Sequence, residues 1–141
     1  TLPGIPPIYY GSEWGIEGRK QGGNDDPMRP HLVLSEMQDN ELTEYISTLG
    51  KVHQENPELS YGRYQELMLT NRQYAFARIL DGHAGITAVN NDESRAHVSI
   101  PVPIEMHTCK NAMTGEPITA QGGRIELELE PCSGICIKIN E

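Results

Sequence analysis

The sequence is poor in basic residues, and this shortage excludes two classes of partner. Lysine and arginine number 11 against 20 aspartates and glutamates, which leaves a net charge of −9. Proteins that bind nucleic acid or anionic membrane surfaces depend on clustered positive charge, so neither partner fits this balance. A neutral or small polar ligand fits the composition better.

Cysteines are few, and their number is odd. At least one thiol among Cys109, Cys132 and Cys136 stays unpaired unless it bridges to another chain. This count favours a reducing compartment, and we expect a cytoplasmic location. The spacing of Cys132 and Cys136 resembles half of a zinc site, but the nearest additional candidates, His107 and Cys109, lie on a different segment. We interpret the cysteines as structural thiols and predict no metal and no cofactor.

Long apolar runs are also missing. No stretch approaches the ~18 apolar residues of a membrane-spanning helix, and the chain does not open on a signal peptide. With 141 residues, the chain is too short for a whole (β/α)8 barrel, which needs about 250 residues. Because it opens on Thr1-Leu2-Pro3, we expect further residues to precede it in the parent protein.

The first 34 residues predict a buried strand followed by a long loop. Residues 1–10 hold a short apolar run without alternation, as in strands that are covered on both faces. Residues 11–34 are rich in glycine, asparagine, aspartate and proline, which favour turns. Irregular loops longer than about 15 residues are uncommon in compact domains and are usually functional or disordered.

The next segment predicts an amphipathic helix. Asp39 or Asn40 can cap its start, and Pro57 ends it. Apolar side chains recur at helical spacing between these points, at Leu42, Tyr45, Ile46, Leu49 and Val52.

From Leu59 onward the period of the apolar residues changes to two, which predicts strands. The clearest alternation sets Ile125, Leu127 and Leu129 against Glu126, Glu128 and Glu130. Many short strands of this kind predict an antiparallel β-sandwich. The predicted strands cover residues 64–69, 72–80, 84–90, 97–102, 124–130 and 134–140.

One motif resembles a known enzyme family. Residues 4–15, GIPPIYYGSEWG, resemble the pattern Gly-x-Pro-x-x-Tyr-Tyr-Gly-x-Glu-x-Gly around the eighth barrel strand of the α-amylase family, glycoside hydrolase family 13. The likeness continues through residues 24–29, NDDPMR, then through residues 56–59, NPEL, and residues 62–64, GRY. The family often carries aspartate where this chain has Ser12, so a polar contact made there is in doubt. Within the family, the chain is most similar to cyclomaltodextrinases and neopullulanases.

The resemblance implies a fold and a division of the chain. Residues 1–57 are expected to form the last strand, a long loop and the last helix of a (β/α)8 barrel. Residues 58–141 are expected to form the C-terminal all-β domain, an antiparallel Greek-key β-sandwich. Because a lone barrel strand leaves its backbone groups unpaired, we expect residues 1–10 to pack against a second copy of the chain.

The resemblance also implies a function for the parent protein, the retaining hydrolysis of α-glucosidic bonds in starch-derived oligosaccharides. Its catalytic carboxylates come from earlier barrel strands, so this chain is expected to hold no catalytic residue and to be inactive alone. We carry over Asp26 and Arg29 as contacts to sugar hydroxyls, with a loop-bracing salt bridge as the alternative for each. Trp14 offers a flat face to a sugar ring, or else it is the wedge that seats the loop.

Two further functions remain open from the sequence. The sandwich is either a carbohydrate-binding module or a purely structural or dimerising domain. A binding platform needs exposed aromatic rings, and few are available after Leu59: Tyr61, Tyr64, Tyr74 and Phe76. The alternation places Tyr74 and Phe76 at positions expected to point inward, which limits the platform, and sugar binding stays the second function after the hydrolase, ahead of a purely structural role.

Overall fold

A computed structural model of the chain describes residues 1–140 and divides into two compact units. The first, which we call the sandwich unit, comprises Thr1–Gly4 and the residues from Val52 onward. The second, which we call the loop unit, comprises Ile5–Lys51. The boundary falls inside the first α-helix, α1 (Glu41–Glu55), so that this helix begins in one unit and ends in the other.

The sandwich unit contains two antiparallel sheets. The larger sheet has the strand order β1-β2-β3-β8-β5, and the smaller one has the order β4-β7-β6. The predicted antiparallel sandwich is therefore confirmed. Its strands are β1 (Arg63–Leu69), β2 (Gln73–Leu80), β3 (His83–Asn90), β4 (Ala96–Pro101), β5 (Thr108–Asn111), β6 (Ala120–Gln121), β7 (Arg124–Leu129) and β8 (Ser133–Asn140).

Side chains from both sheets meet in one hydrophobic core. In β7, Ile125 and Leu129 are buried while Glu126 and Glu128 are exposed, as the alternation predicted. Each fully buried aliphatic side chain contributes about 1.5–3 kcal/mol relative to an exposed one. The core includes Ala75, Ala77, Ile86, Ile137 and Ile139 from the larger sheet and Val98, Ile100, Ile125 and Leu129 from the smaller one.

A short helix, α2 (Pro57–Tyr61), covers the opposite face of the larger sheet. Its Leu59 is only 1% exposed and packs in a small cluster with Val52 and Cys136. Gly85 of β3 makes the room for this contact, because a Cβ atom there would lie 2.5 Å from Leu59 Cδ2. A side chain at position 85 would therefore require the Leu59 side chain to move.

Arg78 of β2 lies on the same outer face, and its side chain is buried. Its Nε donates to the Gly62 carbonyl at 3.0 Å and its Nη2 to the Ser60 carbonyl at 3.2 Å. Its Nη1 donates to the Thr1 carbonyl at 3.5 Å. A buried charge is costly unless it is fully hydrogen-bonded, and the planar guanidinium supplies several fixed donors for these carbonyls.

Three aromatic rings also share this outer face. The Phe76 ring lies 5.4 Å from Tyr64 and 5.7 Å from Tyr74, measured between centroids. Their neighbours Ala75 and Ala77 face the core instead. Phe76 is only 3% exposed and Tyr74 is partly buried, so Phe76 is buried as the inward spacing predicted, but both rings lie on the face opposite the inter-sheet core. Alternation separates the two faces of a strand, but it does not tell which face meets the second sheet.

The loop unit contains three short 3-10 helices, Ser12–Trp14, Asp26–Met28 and Leu34–Glu36, followed by the start of α1. Asn40 caps α1, because its Oδ1 accepts the Thr43 N–H at 3.0 Å. One of the two predicted capping residues is thus confirmed. Among residues 5–51, only Gly11 is buried.

The structure differs from the sequence prediction at both ends of this region. Residues 1–10 form no strand, and Ile5 is 93% exposed. A strand is defined by hydrogen bonds to a neighbouring strand, and among residues 1–140 none pairs with this segment. Pro57 follows the end of α1 as predicted, but it also opens α2, since proline suits the first position of a helix. The predicted division of the chain at residues 57 and 58 stays a prediction.

Candidate functional site

The loop unit holds the three candidate site residues, and glycines shape the backbone around them. Gln21 and Asn24 exchange backbone hydrogen bonds at 3.2 and 2.8 Å across a two-residue turn, Gly22–Gly23, in which both φ angles are positive. Gly18 packs directly on the following 3-10 helix, because a Cβ atom there would lie 2.5 Å from the Pro27 carbonyl oxygen. The loop thus turns back on itself before it reaches Asp26.

Asp26 begins the second 3-10 helix with its side chain exposed. Its backbone N–H donates to the Asn24 side-chain oxygen at 2.9 Å, which fixes the turn that precedes it. The neighbouring Asp25 is engaged differently, since its carboxylate pairs with Lys20 at 3.0 Å. Among residues 1–140, the Asp26 carboxylate has no such ion pair within 4.0 Å.

Arg29 follows this 3-10 helix, and its backbone N–H donates to the Asp26 carbonyl at 2.9 Å. Its side chain is exposed, and within the described residues it forms no salt bridge. Desolvation raises the pKa of the Tyr10 hydroxyl, and Tyr9 adds to this rise, whereas the positive charge of Arg29 opposes it. The guanidinium therefore lies close enough to Tyr10 to act on its ionisation.

Trp14 is held by the start of α1. The Trp14 carbonyl accepts a hydrogen bond from Asn40 Nδ2 at 3.3 Å, and the preceding Glu13 carbonyl accepts one from Thr43 Oγ1 at 2.8 Å. The indole is half-buried, and within residues 1–140 its Nε1–H has no acceptor. The unsatisfied Nε1–H is itself buried, so a ligand at this surface would meet the accessible part of the ring and not this donor.

The structure thus joins two of the three predicted residues directly. Asp26 and Arg29 are linked through one backbone hydrogen bond, whereas Trp14 depends on a separate set of contacts to α1. The sequence interpretation missed Asn24 and Thr43, which fix these two parts of the loop. Asn24 could have been found, because an asparagine two residues before a turn position commonly bonds to the backbone there.

Within the part of the chain that the structure describes, no group of three or more histidine, cysteine, aspartate or glutamate residues is arranged to hold a metal ion. The cysteines Cys109, Cys132 and Cys136 are all free thiols, and burial raises the pKa of Cys109 and Cys136. Across residues 1–140, every helix is too short or too polar to span a bilayer.

Comparison with known proteins identifies relatives that cover most of the chain. It is 27% identical over 131 residues to a cyclomaltodextrin glucanotransferase of Bacillus licheniformis, covering 89% of this chain and 18% of the relative. It is 33% identical over 95 residues to a cyclomaltodextrinase of Thermoanaerobacter pseudethanolicus, covering 67% of this chain and 16% of the relative. It is 28% identical over 141 residues to neopullulanase 2 of Thermoactinomyces vulgaris, covering 97% of this chain and 23% of the relative.

Solved structures share the fold. The crystal structure of an α-amylase from Geobacillus thermoleovorans in complex with acarbose matches 98% of this chain and 30% of its own, with a TM-score of 0.82 and 22% identity. No family model matches the chain.

The chain belongs to the α-amylase family. It spans only about a fifth of the length of the curated relatives above, between 16% and 23%. In this α-amylase-family chain, the loop at residues 11–34 and the β-sandwich belong to separate units. The three predicted site residues all lie in the loop.

Proposed function

We propose that the parent protein hydrolyses α-glucosidic bonds in starch-derived oligosaccharides with retention of configuration. This chain supplies one side of the substrate cleft and a stabilising sandwich, but no turnover of its own. The names of the relatives support the substrate class, since they include a cyclomaltodextrinase and a neopullulanase. A cytoplasmic location belongs to the same proposal, and cell fractionation tests it.

The exposed pair of Asp26 and Arg29 carries the proposal. The two side chains are one 3-10 turn apart, and neither is engaged in a salt bridge among the described residues. Asp25 next to them is already paired with Lys20, so the ligand-binding role falls to Asp26. A carboxylate accepts and a guanidinium donates hydrogen bonds, so that together they suit the neighbouring hydroxyls of a neutral sugar.

The position of the loop in the family fold supports the same role. In (β/α)8 barrels the active site lies at the C-terminal ends of the strands. The loop begins at Gly11, directly after the segment that resembles the eighth strand. Trp14, three residues into the loop, would then offer its ring to the sugar, as its half-buried face allows.

Substitutions in the parent enzyme test this proposal. Asp26→Asn and Arg29→Lys should each lower kcat/KM for maltoheptaose about 10- to 100-fold, the cost of a lost charged hydrogen bond. Asp25→Asn is the matched control, since it removes only an exposed ion pair and should change kcat/KM about twofold or less. Equal losses at positions 25 and 26 would contradict the assignment of Asp26.

The 141-residue chain alone provides a second test. Retaining hydrolysis needs two carboxyl groups about 5 Å apart, and we assign neither to this chain. Incubation with maltoheptaose should release no sugar, and measurable release that disappears on substitution of Asp26 would overturn the division of roles.

Sugar binding by the sandwich is a second candidate function, favoured by the exposed Tyr64 and the partly buried Tyr74, which lie beside the buried Phe76 on one face of the larger sheet. Tyr64 is 38% exposed, and its hydroxyl hydrogen-bonds to that of Tyr74. If this face binds sugar, calorimetric titration with maltoheptaose should detect binding that Tyr64→Ala abolishes. Tyr61→Ala is the control, because Tyr61 is 81% exposed and belongs to no aromatic pair within the described residues. Absence of binding by the unsubstituted chain leaves the structural role.

The apolar side chains of residues 1–10 suggest one more contact. Ile5, Ile8 and Tyr9 are each more than half exposed. We propose that they pack against another polypeptide, either the remaining barrel strands of the parent or a second copy of this chain. Sedimentation of the 141-residue chain decides whether a second copy is involved: a dimer that Ile5→Asp and Ile8→Asp dissociate supports it, and a monomer excludes it.

A further inference from the structure

We infer that the Arg78 side chain is a non-covalent cross-link between two backbone segments, one that precedes the loop unit in the sequence and one that follows it. Its guanidinium binds the Thr1 carbonyl, which precedes the loop unit, and the Ser60 and Gly62 carbonyls, which follow it. All the residues from Ile5 to Lys51 lie between these points in the sequence. One buried side chain thus holds together the two stretches of backbone that border the candidate site.

The chemistry of the contact requires arginine. Arg78 is 4% exposed, so its charge is almost completely removed from water. Its nearest partners are three backbone carbonyls from two distant parts of the chain, and no carboxylate forms an ion pair with it among residues 1–140. Lysine at this position would keep the charge, but its single ammonium group cannot reproduce three donors in a planar arrangement.

The loop unit has reason to depend on this closure. Its own packing is weak, since Gly11 is its only buried residue among positions 5–51. A segment with so little buried surface depends on the fixing of its ends in addition to its own hydrogen bonds, and freeing one end restores conformational entropy. We therefore expect loss of Arg78 to loosen the loop unit while the sheets stay folded. Arg78 would then be a positioning residue for Trp14, Asp26 and Arg29, a step that rests on the proposed function.

Two probes in the loop unit make this testable in the 141-residue chain. Trp14 is the only tryptophan, so its fluorescence reports on the loop unit alone. Arg19 and Lys20 are exposed and provide trypsin cleavage sites in the same loop. In Arg78→Lys and Arg78→Met, trypsin should cut there about tenfold faster, the ratio expected for loss of a charged hydrogen bond. Trp14 emission should shift to the red at temperatures where circular dichroism shows the sheets intact.

Arg95→Lys is the matched control. Arg95 is exposed and pairs with Glu130 at 2.6 Å on the surface of the sandwich unit, so its substitution should change neither probe. A merely structural role for Arg78 predicts a lower unfolding midpoint with unchanged Trp14 emission and cleavage below that midpoint. That outcome overturns the inference.

A measurement on the unsubstituted chain covers the case in which neither variant folds. The Nε–H of Arg78 should exchange with solvent far more slowly than that of Arg95, and equal rates would overturn the cross-link. None of these experiments uses a sugar, so their failure leaves the substrate proposal untouched. Conversely, Asp26 variants that leave kcat/KM unchanged would contradict the substrate proposal but would not test the cross-link by Arg78.

Discussion

The two units of this chain achieve order in opposite ways. Every buried apolar side chain in the described residues belongs to the sandwich unit, where the two sheets and α2 enclose them. The loop unit relies instead on backbone geometry: three 3-10 helices, a Gly22–Gly23 turn, and side-chain caps from Asn24 and Asn40. The difference shows how a buried scaffold and an exposed loop can be built from one short sequence.

The largest expected effect tests whether stability resides in the sandwich. Ile137 is fully buried in the core, so Ile137→Ala should lower the free energy of unfolding by about 2–5 kcal/mol. Ile5 is 93% exposed in the loop unit, so Ile5→Ala should change it by about 0.5 kcal/mol or less. Urea denaturation of both variants measures the difference. Comparable losses would show that the loop unit contributes to the cooperative core.

Replacement of two glycines by alanine should change the stability of the chain in opposite directions. At Gly62 a Cβ atom would lie 2.4 Å from the Glu58 carbonyl oxygen and 2.8 Å from the Ile79 nitrogen, so Gly62→Ala should cost about 1–3 kcal/mol. At Gly50, inside α1, a Cβ atom meets nothing within 4 Å, and alanine should stabilise the helix by about 1 kcal/mol. Thermal unfolding should move down for the first variant and up for the second. The same direction for both would contradict the close approach at Gly62.

A local effect is expected at the helix cap of the loop unit. Asn40→Ala removes the acceptor of the Thr43 N–H, which should weaken the start of α1 by about 1 kcal/mol. We expect faster hydrogen exchange of the backbone amides at residues 42–44 with little change in the global unfolding midpoint. Asp39→Ala is the control, because Asp39 makes no capping hydrogen bond in the described residues. If the midpoint falls by the amount expected for a core substitution, the two units are not energetically separate.

The smallest effect concerns ionisation on the outer face of the larger sheet. The hydrogen bond from Tyr64, with desolvation and the charge of nearby Glu66, raises the pKa of Tyr74 from 10.0 to about 12. Between pH about 10 and about 12, the Tyr74 hydroxyl is therefore protonated in the folded chain and ionised in the unfolded chain. The free energy of unfolding should fall as the pH rises through this range. Tyr64→Phe removes the first cause and should lower the pKa of Tyr74 in an ultraviolet titration. Tyr61→Phe should leave that pKa unchanged, and an equal shift in both variants would show that Tyr64 is not its partner.

The sequence predicted the parts of the fold in which burial and period agree. The alternation of Ile125, Leu127 and Leu129 predicts β7 because water on one face and the core on the other select the side chains. Helical spacing similarly predicts α1, and a capping residue predicts its start. β5 escaped notice because in Thr108–Asn111 only Cys109 is buried, and so short a segment gives no period. α2 escaped because proline was read only as the end of one helix.

The candidate site was less predictable because its geometry is made by backbone rather than by burial. The motif predicts that Asp26 and Arg29 matter, but not that Lys20 engages Asp25 and leaves Asp26 exposed. That pairing depends on a turn at Gly22–Gly23, which brings together residues on its two sides. Residues 1–10 show the same limit, since an apolar run predicts burial but among residues 1–140 no strand pairs with it.

The contact between Gly85 and Leu59 has a practical consequence for the construction of chimeras between members of this family. Leu59 packs against the backbone at Gly85, and a side chain there would displace it, so α2 is matched to a sheet that carries glycine at this position. A chimera joined at the first strand would bring a foreign helix against an unmatched surface. The crossover point belongs upstream of Asn56, so that the helix and its matching glycine are inherited together.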